Sequence, residues 1–531
     1  MRSIRARGAL VGGAAFLAFA LVAGAAAQTR TSESTSIKNG GTLTMALDSD
    51  PDALDPTLAR TFVGRIVFAH MCEKLYDLNA KLQIVPQLAA ALPTFSADKQ
   101  TVTIRLRKGI KFNDGTAFNA DAVKKSLERH KTLPRSSRAS ELAPVTSIDT
   151  SGANTVILHL SGRYSPITAQ LADRSGMIMS PKQLDALGDR FATNPVCVGP
   201  FMFKDRVAAD HITLTKSPYY YAKNKVHLSQ IIFKIITDPT ARTQNLRSGD
   251  VQVEEGVQSS DIPVIKKDKS LRQIKSTSIG YQGITINIGN KNGLGKHYEN
   301  VGTAIARSVQ LRRAFNLALD RNLINKAVFG GTVVPDCFPW ASTTPWYAAT
   351  KGIPCYRTAQ VKAAQRLVNA SGVQKPIEVQ LMLGTDPVAA RLGALIQSLE
   401  AKVGFKVTLQ PTEFVTSLAR EDAGNFQTFA IGWSGRVDPD GNVYQFNHSK
   451  GSNNDSGYVS GLVDLTLDNA RKAATQKARI TSYRAFVKRA LQDLPIIYLY
   501  HPVNRDAASN KVGGVQVYGD GLVRTYFAYY K

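Results

Sequence analysis

Apolar and polar positions alternate with a period of two in 40–47 (GGTLTMAL), 101–106 (TVTIRL) and Thr155–Leu160, and each run predicts a strand with one buried face. Between them, 63–76 carries Ile66, Val67, Met71 and Leu75 at helical spacing. Two prolines and four acids around 48–55 (DSDPDALD) separate that helix from the first strand. Segment 108–115 (KGIKFNDG) predicts a short strand entering an Asp-Gly turn, and Asn119 caps a helix over 120–130 whose inner stripe is Ala122, Val123 and Leu127. A Gly199-Pro200 turn leads into paired strands at 201–203 and 212–214, followed by a buried strand at 231–236. Asp238-Pro239 opens a helix running to Ser248, and 281–288 is a strand. Leu311, Phe315, Leu319 and Leu323 predict one long helix over 309–329, and Gly372 stops another at 359–371. From 376 onward strands (376–383, 405–409, 426–432, 496–500) alternate with helices (388–403, 414–422, 462–474, 481–494). Such alternation argues an α/β architecture with largely parallel sheets. No fixed-period repeat is present, and no long linker divides the chain, so its domains are expected to be discontinuous.

The chain of 531 residues is 43% hydrophobic and 20% charged, which excludes a disordered or collagen-like protein. No apolar run of membrane-spanning length follows the N-terminus, and four cysteines are too few for a disulfide-dense scaffold. Lys and Arg number 66 against 41 Asp and Glu, a net charge of +25. That balance raises nucleic acid and anionic membranes as partners. The basic clusters at 105–108 and 266–269 are short and lack interleaved aromatics, so they read as solvated surface and no nucleic-acid partner is expected.

Arg2, Arg5 and Arg7 precede an Ala/Leu/Val/Phe/Gly stretch that ends in Ala25-Ala26-Ala27, a small-x-small cleavage pattern. Residues 1–27 therefore read as a signal peptide and 28–39 as a flexible lead-in. No cysteine follows the cleavage pattern, so no lipid anchor is expected and the mature chain should be soluble and exported. Export permits disulfides. Cys72, Cys197, Cys337 and Cys355 allow three connectivities; the loop bounded by Cys337 and Cys355 is the natural one to close, leaving Cys72 with Cys197, and four free thiols is the alternative.

Catalytic patterns are missing: no phosphate-binding glycine loop, no H-E-x-x-H, no C-x-x-C, no G-x-S-x-G. One S-x-x-K, Ser96 to Lys99, lies in a polar turn and has no K-T-G after it. The eight histidines have no ligand spacing. No catalytic residue, metal or cofactor is assigned. A secreted hydrolase with a non-local catalytic site, and a metal or haem carrier, stand as readings to be weighed.

Several stretches resemble one family in order. GGTLTMALDSDPDALDP (40–56) is similar to its opening, and Glu73-Lys74-Leu75-Tyr76 with Pro86-Gln87-Leu88-Ala89 to its next landmark. The most specific block is TVTIRLRKGIKFNDGTAFNADAVKKSLER (101–129). Val198-Gly199-Pro200-Phe201, Leu246 to Asp250, VQLRRAFNLALD (309–320), Trp433 with Asp438-Pro439, and Leu494 to Ile497 complete the series. The family is that of the ABC-transporter solute-binding proteins, extracellular family 5, of the dipeptide, oligopeptide and nickel type. The resemblance implies a two-lobed periplasmic-binding-protein fold (class II, cluster C) with an extra small domain inserted in the first lobe. Lobe I is then expected at 40–80, 200–285 and 501–531, the insert at 81–199 and lobe II at 286–500. It further implies a periplasmic monomer that encloses a small-molecule solute, of peptide or organic-acid type, by hinge closure and docks on an inner-membrane ABC permease with ATPase subunits.

The loop after the 426–432 strand follows a strand's carboxyl end, where open α/β sheets bind ligands. In peptide-binding relatives an acid in this loop holds the α-ammonium group; here Arg436 stands third after Trp433, and Asp438 is the nearest acid. A guanidinium there favours a carboxylate or phosphate on the solute, unless Arg436 pairs with Asp438 or Asp440 and only shapes the loop. The other candidates are Trp433 as a platform, Tyr281, Phe62, Arg174 with Ser175, and Asn454 with Tyr458 in a Gly/Asn-rich loop.

Overall fold

The computed structural model describes residues 37–531. The expected signal peptide and most of the lead-in lie outside the described residues. The lead-in's last residues are tied down, with the Lys38 amide donating to the Tyr530 carbonyl at 2.9 Å.

The opening strand Thr42–Leu47 is the middle of a seven-stranded sheet, paired in parallel with Gln230–Ile235 and with Val253–Glu254. Antiparallel strands extend it to Phe201–Val207 at one edge and, through Val503–Ser509, to Leu271–Thr277 at the other. The apolar stripe of Phe62–Met71 packs under this sheet with Leu43, Met45 and Phe233. A six-stranded sheet is built on Ile377–Leu383, parallel to both Phe405–Pro411 and Thr428–Trp433, with Tyr281–Ile286, Ile496–His501 and Val334–Pro335 added antiparallel. A four-stranded antiparallel sheet of Thr94–Phe95, Thr101–Arg105, Thr155–Leu160 and Val145–Thr150 has its own core under the helix Ala120–Thr132.

The two large sheets are thus mixed rather than largely parallel. Hairpin strands and the strands that carry the chain from one sheet to the other enter antiparallel, which period alone does not reveal. The chain crosses between the sheets twice: through 278–280, after Leu271–Thr277, and at Pro502, between Ile496–His501 and Val503–Ser509. Tyr281–Ile286 and His501 therefore pair within the six-stranded sheet, not with the first-lobe segments to which the sequence assigned 281–285 and 501.

The predicted helix over 309–329 is two helices, Val309–Ala318 and Arg321–Phe329. Leu319 is extended, and the Asp320 carboxylate accepts the Leu323 amide at 2.8 Å, a side-chain cap that starts a new helix inside an unbroken leucine pattern. The 108–115 segment is no strand: a single bridge joins Lys111 to Ala117 around Gly115, whose φ of +83° suits glycine. The first helix ends at Met71, not Tyr76. Two bonds close the cysteines, Cys72–Cys197 and Cys337–Cys355, with Cα separations of 4.9 and 5.5 Å. Among the described residues no helix is long and apolar enough to cross a membrane.

Candidate functional site

A cavity of about 910 Å³ is walled by both large sheets, within the size range of small-molecule sites. From the first sheet and the segments that leave it come Asp48, residues 60–63, Glu255 and Asp506; facing them are Tyr281 and Trp433 of the second sheet, Glu421 of the helix Phe414–Asp422 and Asp455 of the loop that follows Asn454.

The acids of 48–55 build the turn that presents Arg60 and Phe62. Asp52 accepts the Arg60 amide at 2.7 Å and the Thr61 hydroxyl at 2.8 Å, while Asp55 receives Arg129 through contacts of 2.9 and 2.6 Å. Thr61 then caps the helix, so Phe62 stands as its first residue against the cavity. On the opposite wall the Trp433 indole donates to the Gly441 carbonyl at 2.9 Å, and its ring meets Phe446 edge-on at 4.9 Å. Tyr281 packs edge-on against Tyr498 at 4.9 Å. The crossing at 279–280 lies so close to this loop that a Cβ on Gly280 would come within 2.3 Å of the Trp433 carbonyl oxygen. One on Gly435, at φ +82°, would come within 2.4 Å of that of Ile279. Trp433, Tyr281 and Phe62 all line the cavity.

The remaining sequence candidates do not. Arg436 turns away to pair with Asp173, and its guanidinium lies 4.2 Å from the Trp433 ring centre. Arg65 reaches the same carboxylate at 3.2 Å. Against the cost of burial, Arg436, Arg65 and Arg174 hold the Asp173 carboxyl far below the usual range. Neither acid expected to partner Arg436 does so: Asp438 is held by Arg479 at 2.6 and 2.7 Å, and Asp440 by Arg471 at 2.7 and 2.8 Å. Arg174 is buried and donates to the Ala59 carbonyl at 2.7 Å, and Ser175 donates to Glu141. Asn454 folds its own loop, donating to the Tyr458 carbonyl at 2.8 Å, while the Tyr458 hydroxyl donates to Asp493 at 2.6 Å. In each case a buried polar group finds a partner within the protein and is withdrawn from the cavity.

Sequence reasoning missed the charged cluster that does face the cavity. Arg60 donates to Glu421 at 3.3 Å and to Asp455 at 3.1 Å, and it also pairs with Asp422. One guanidinium thus faces three carboxylates, and Asp455 Oδ1 is buried with no partner among the described residues. Burial pushes the Asp455 carboxyl up to about 7, with Arg60 lowering it and Asp422 raising it. Burial and then Asp455 push Glu421 well above the usual carboxylate range. The signal that could have found this cluster was an acid inside the Gly/Asn-rich loop already singled out through its neighbours Asn454 and Tyr458.

Residues 83–454 match the model for "Bacterial extracellular solute-binding proteins, family 5 Middle". The chain is 24% identical to the glutathione-binding protein GsiB of Pectobacterium atrosepticum over 90% of this chain and 92% of that one. It is 24% identical to the di/tripeptide-binding protein 2 of Pseudomonas aeruginosa over 97% of each. Among solved structures, AgaA of A. tumefaciens R10, in complex with agropinic acid, superposes with a TM-score of 0.82 at 25% identity over 92% of this chain and 99% of that one. The oligopeptide-binding protein AppA of Bacillus subtilis shares the fold with a TM-score of 0.84 at 19% identity over 93% of this chain and all of that one. With the family model spanning 83–454 and a cavity walled by two crossing-linked sheets, the chain belongs to family 5 of the bacterial extracellular solute-binding proteins, the substrate-capturing components of ABC importers.

Proposed function

We propose that this protein captures a short peptide or a similar amino-bearing organic solute in the periplasm and delivers it to an inner-membrane ABC permease. One observation carries the choice of solute: the carboxyls of Asp455 and Glu421 both face the cavity and share the single guanidinium of Arg60, and Asp455 Oδ1 has no partner among the described residues. An ammonium group is the complement of such a site. With Arg436 spent on Asp173, the cavity offers no guanidinium from that loop for a carboxylate. The glutathione and di/tripeptide relatives point the same way. The relatives reported are named for binding, which favours capture over the hydrolase alternative.

In this proposal lobe I carries the seven-stranded sheet, lobe II the six-stranded sheet, and residues 81–199 the small insert, with 278–280 and Pro502 as the hinge. The lobes close because the solute bridges walls that belong to both, so it binds the closed form better than the open one.

The test is native mass spectrometry of the protein purified from its own periplasm, followed by calorimetric titration of the co-purified solute and its N-acetylated form. A solute with a free amine that loses affinity at least tenfold on acetylation is expected. A co-purifying acid without an amine, or indifference to acetylation, would refute the proposal.

A further inference from the structure

A second group of carboxylates faces the cavity from the other wall, and the sheet explains how they meet. Val253–Glu254 runs parallel to Thr42–Leu47 with Glu254 opposite Ala46, so Asp48 and Glu255 leave adjacent strands at the same carboxyl edge. Val503–Ser509 pairs antiparallel on the far side with Ala507 opposite Glu254, which brings Asp506 beside them. All three residues line the cavity.

Two of the three have an oxygen without a donor, while Asp48, the exposed one, accepts the Ser49 hydroxyl at 2.7 Å. Asp506 accepts the Gly256 amide through Oδ1 at 3.1 Å, but its Oδ2 is buried with no partner among the described residues, and the residue is 2% exposed. Glu255 is 6% exposed, and its Oε2 is likewise buried and unpartnered. The cation beside them, Arg242, has its Nη1 on the Ile236 and Thr237 carbonyls at 2.8 and 3.1 Å and its Nη2 on the Gly256 carbonyl at 3.0 Å. Glu254, the next acid along, points elsewhere and accepts the Thr243 hydroxyl at 2.9 Å. Buried carboxylate oxygens left without a donor are costly, and a cation that supplies donors removes the cost. Burial, followed by Asp48 and Asp506, pushes the Glu255 carboxyl well above its usual range, and burial pushes Asp506 up to about 7. The three do not converge as a metal set; among the described residues no such group exists. An organic cation with several N–H donors fits better than a compact ion.

We infer that the Asp48–Glu255–Asp506 face is a second recognition subsite, which takes an ammonium or guanidinium on the solute's side arm and makes the protein selective for basic peptides. The inference rests on the amino-bearing solute proposed above, whose α-ammonium would sit at Asp455 and Glu421 on the opposite wall. The two clusters then measure two different positive groups on one molecule.

The experiment is calorimetric titration at pH 7.5 with Ala-Lys and Lys-Ala beside Ala-norleucine and norleucine-Ala, in which the chain is kept and the second charge removed. At least one lysyl peptide is expected to bind tenfold or more tighter than its norleucine counterpart. In the Glu255→Gln/Asp506→Asn double variant that advantage should vanish, the lysyl and norleucine peptides then binding within threefold of each other. Equal affinity of lysyl and norleucine peptides for the unaltered protein, which needs no variant, would overturn the inference, as would a lysine advantage that survives the double substitution. Norleucine peptides binding well with no lysine advantage would sink this inference alone. Failure of all four peptides would sink both it and the amino-bearing solute.

Discussion

Asp173 is where three parts of the molecule meet. It sits beside the four-stranded sheet's core, Arg65 comes from the helix under the seven-stranded sheet, and Arg436 follows the last strand residue of the six-stranded sheet at Trp433. Asp173→Asn keeps the side chain's size and its acceptor for the Arg174 amide at 2.7 Å, and removes only the charge. In the closed arrangement Arg65 would retain the Ser434 hydroxyl at 3.2 Å, and Arg436 the Gly435 carbonyl at 2.7 Å, with no carboxylate for either. Leaving one side of a buried ion pair without its partner costs about 3–5 kcal/mol. Parting the two large sheets, as the proposed hinge would, takes Arg436 away from position 173 and toward water, so the cost falls on the closed form. Taking about 3 kcal/mol, the closed population drops, relative to open, by about 100-fold. Small-angle scattering of the solute-free protein should show a larger radius of gyration for the variant, and saturating solute should restore the compact value only at a concentration raised by a similar factor. Because the unmodified carboxyl is held low by its arginines, its contribution is present above its unfolded pKa and is lost only in strong acid. An Asp173→Asn protein with unchanged radius and solute affinity within threefold of the parent would refute the reasoning.

Glu400 is fully buried in the helix Pro387–Ala401 with neither carboxyl oxygen partnered among the described residues, and burial pushes its pKa well up. Its raised folded pKa makes the native state lose stability as pH climbs from the unfolded value toward the folded one, so Glu400→Met should add about 1–3 kcal/mol in urea unfolding at pH 7.5 and little at pH 4. With Asp455 at about 7, an ammonium solute must displace a proton below that pH; its affinity should fall by about tenfold from pH 8 to pH 6, and a flat profile would count against the site. The Cys72–Cys197 bond spans 125 residues and Cys337–Cys355 spans 18, so by chain entropy replacing the first pair with alanines should cost about 5 kcal/mol and the second about 3 kcal/mol; equal urea midpoints for the two variants would contradict this.

Much of the fold was legible because each element carried its own local signal. Asn119 and Asp238 mark helix starts, and Gly249 at φ +90° ends the helix that Asp238 opens. Failures came where a tertiary partner overrode the pattern. The leucine spacing runs unbroken through Asp320, yet its carboxylate ends one helix by starting another. The edge strand Leu271–Thr277 and its neighbour Val503–Ser509 carry too many polar residues for alternation to reveal, since much of their surface meets other strands and the cavity wall. The site was harder still. That Trp433, Tyr281 and Phe62 reach the cavity wall was legible because strand ends and crossing points are where α/β sheets open. Arg436 could not, because what decides its role is Asp173, a residue more than two hundred positions away that no spacing rule connects to it.

The Cys72–Cys197 bond has a topological meaning. It ties the end of the opening helix to the chain just before the Gly199 turn, with the Glu73 amide donating to the Val198 carbonyl at 2.7 Å beside it. Everything between, including the whole four-stranded sheet, is a covalent ring hung from a single neck. A protease that cuts one exposed loop of that ring would not divide the molecule: both fragments stay joined and the two large sheets keep their connection. The ring can therefore tolerate nicking, or exchange for a different loop, without severing the cavity from either wall.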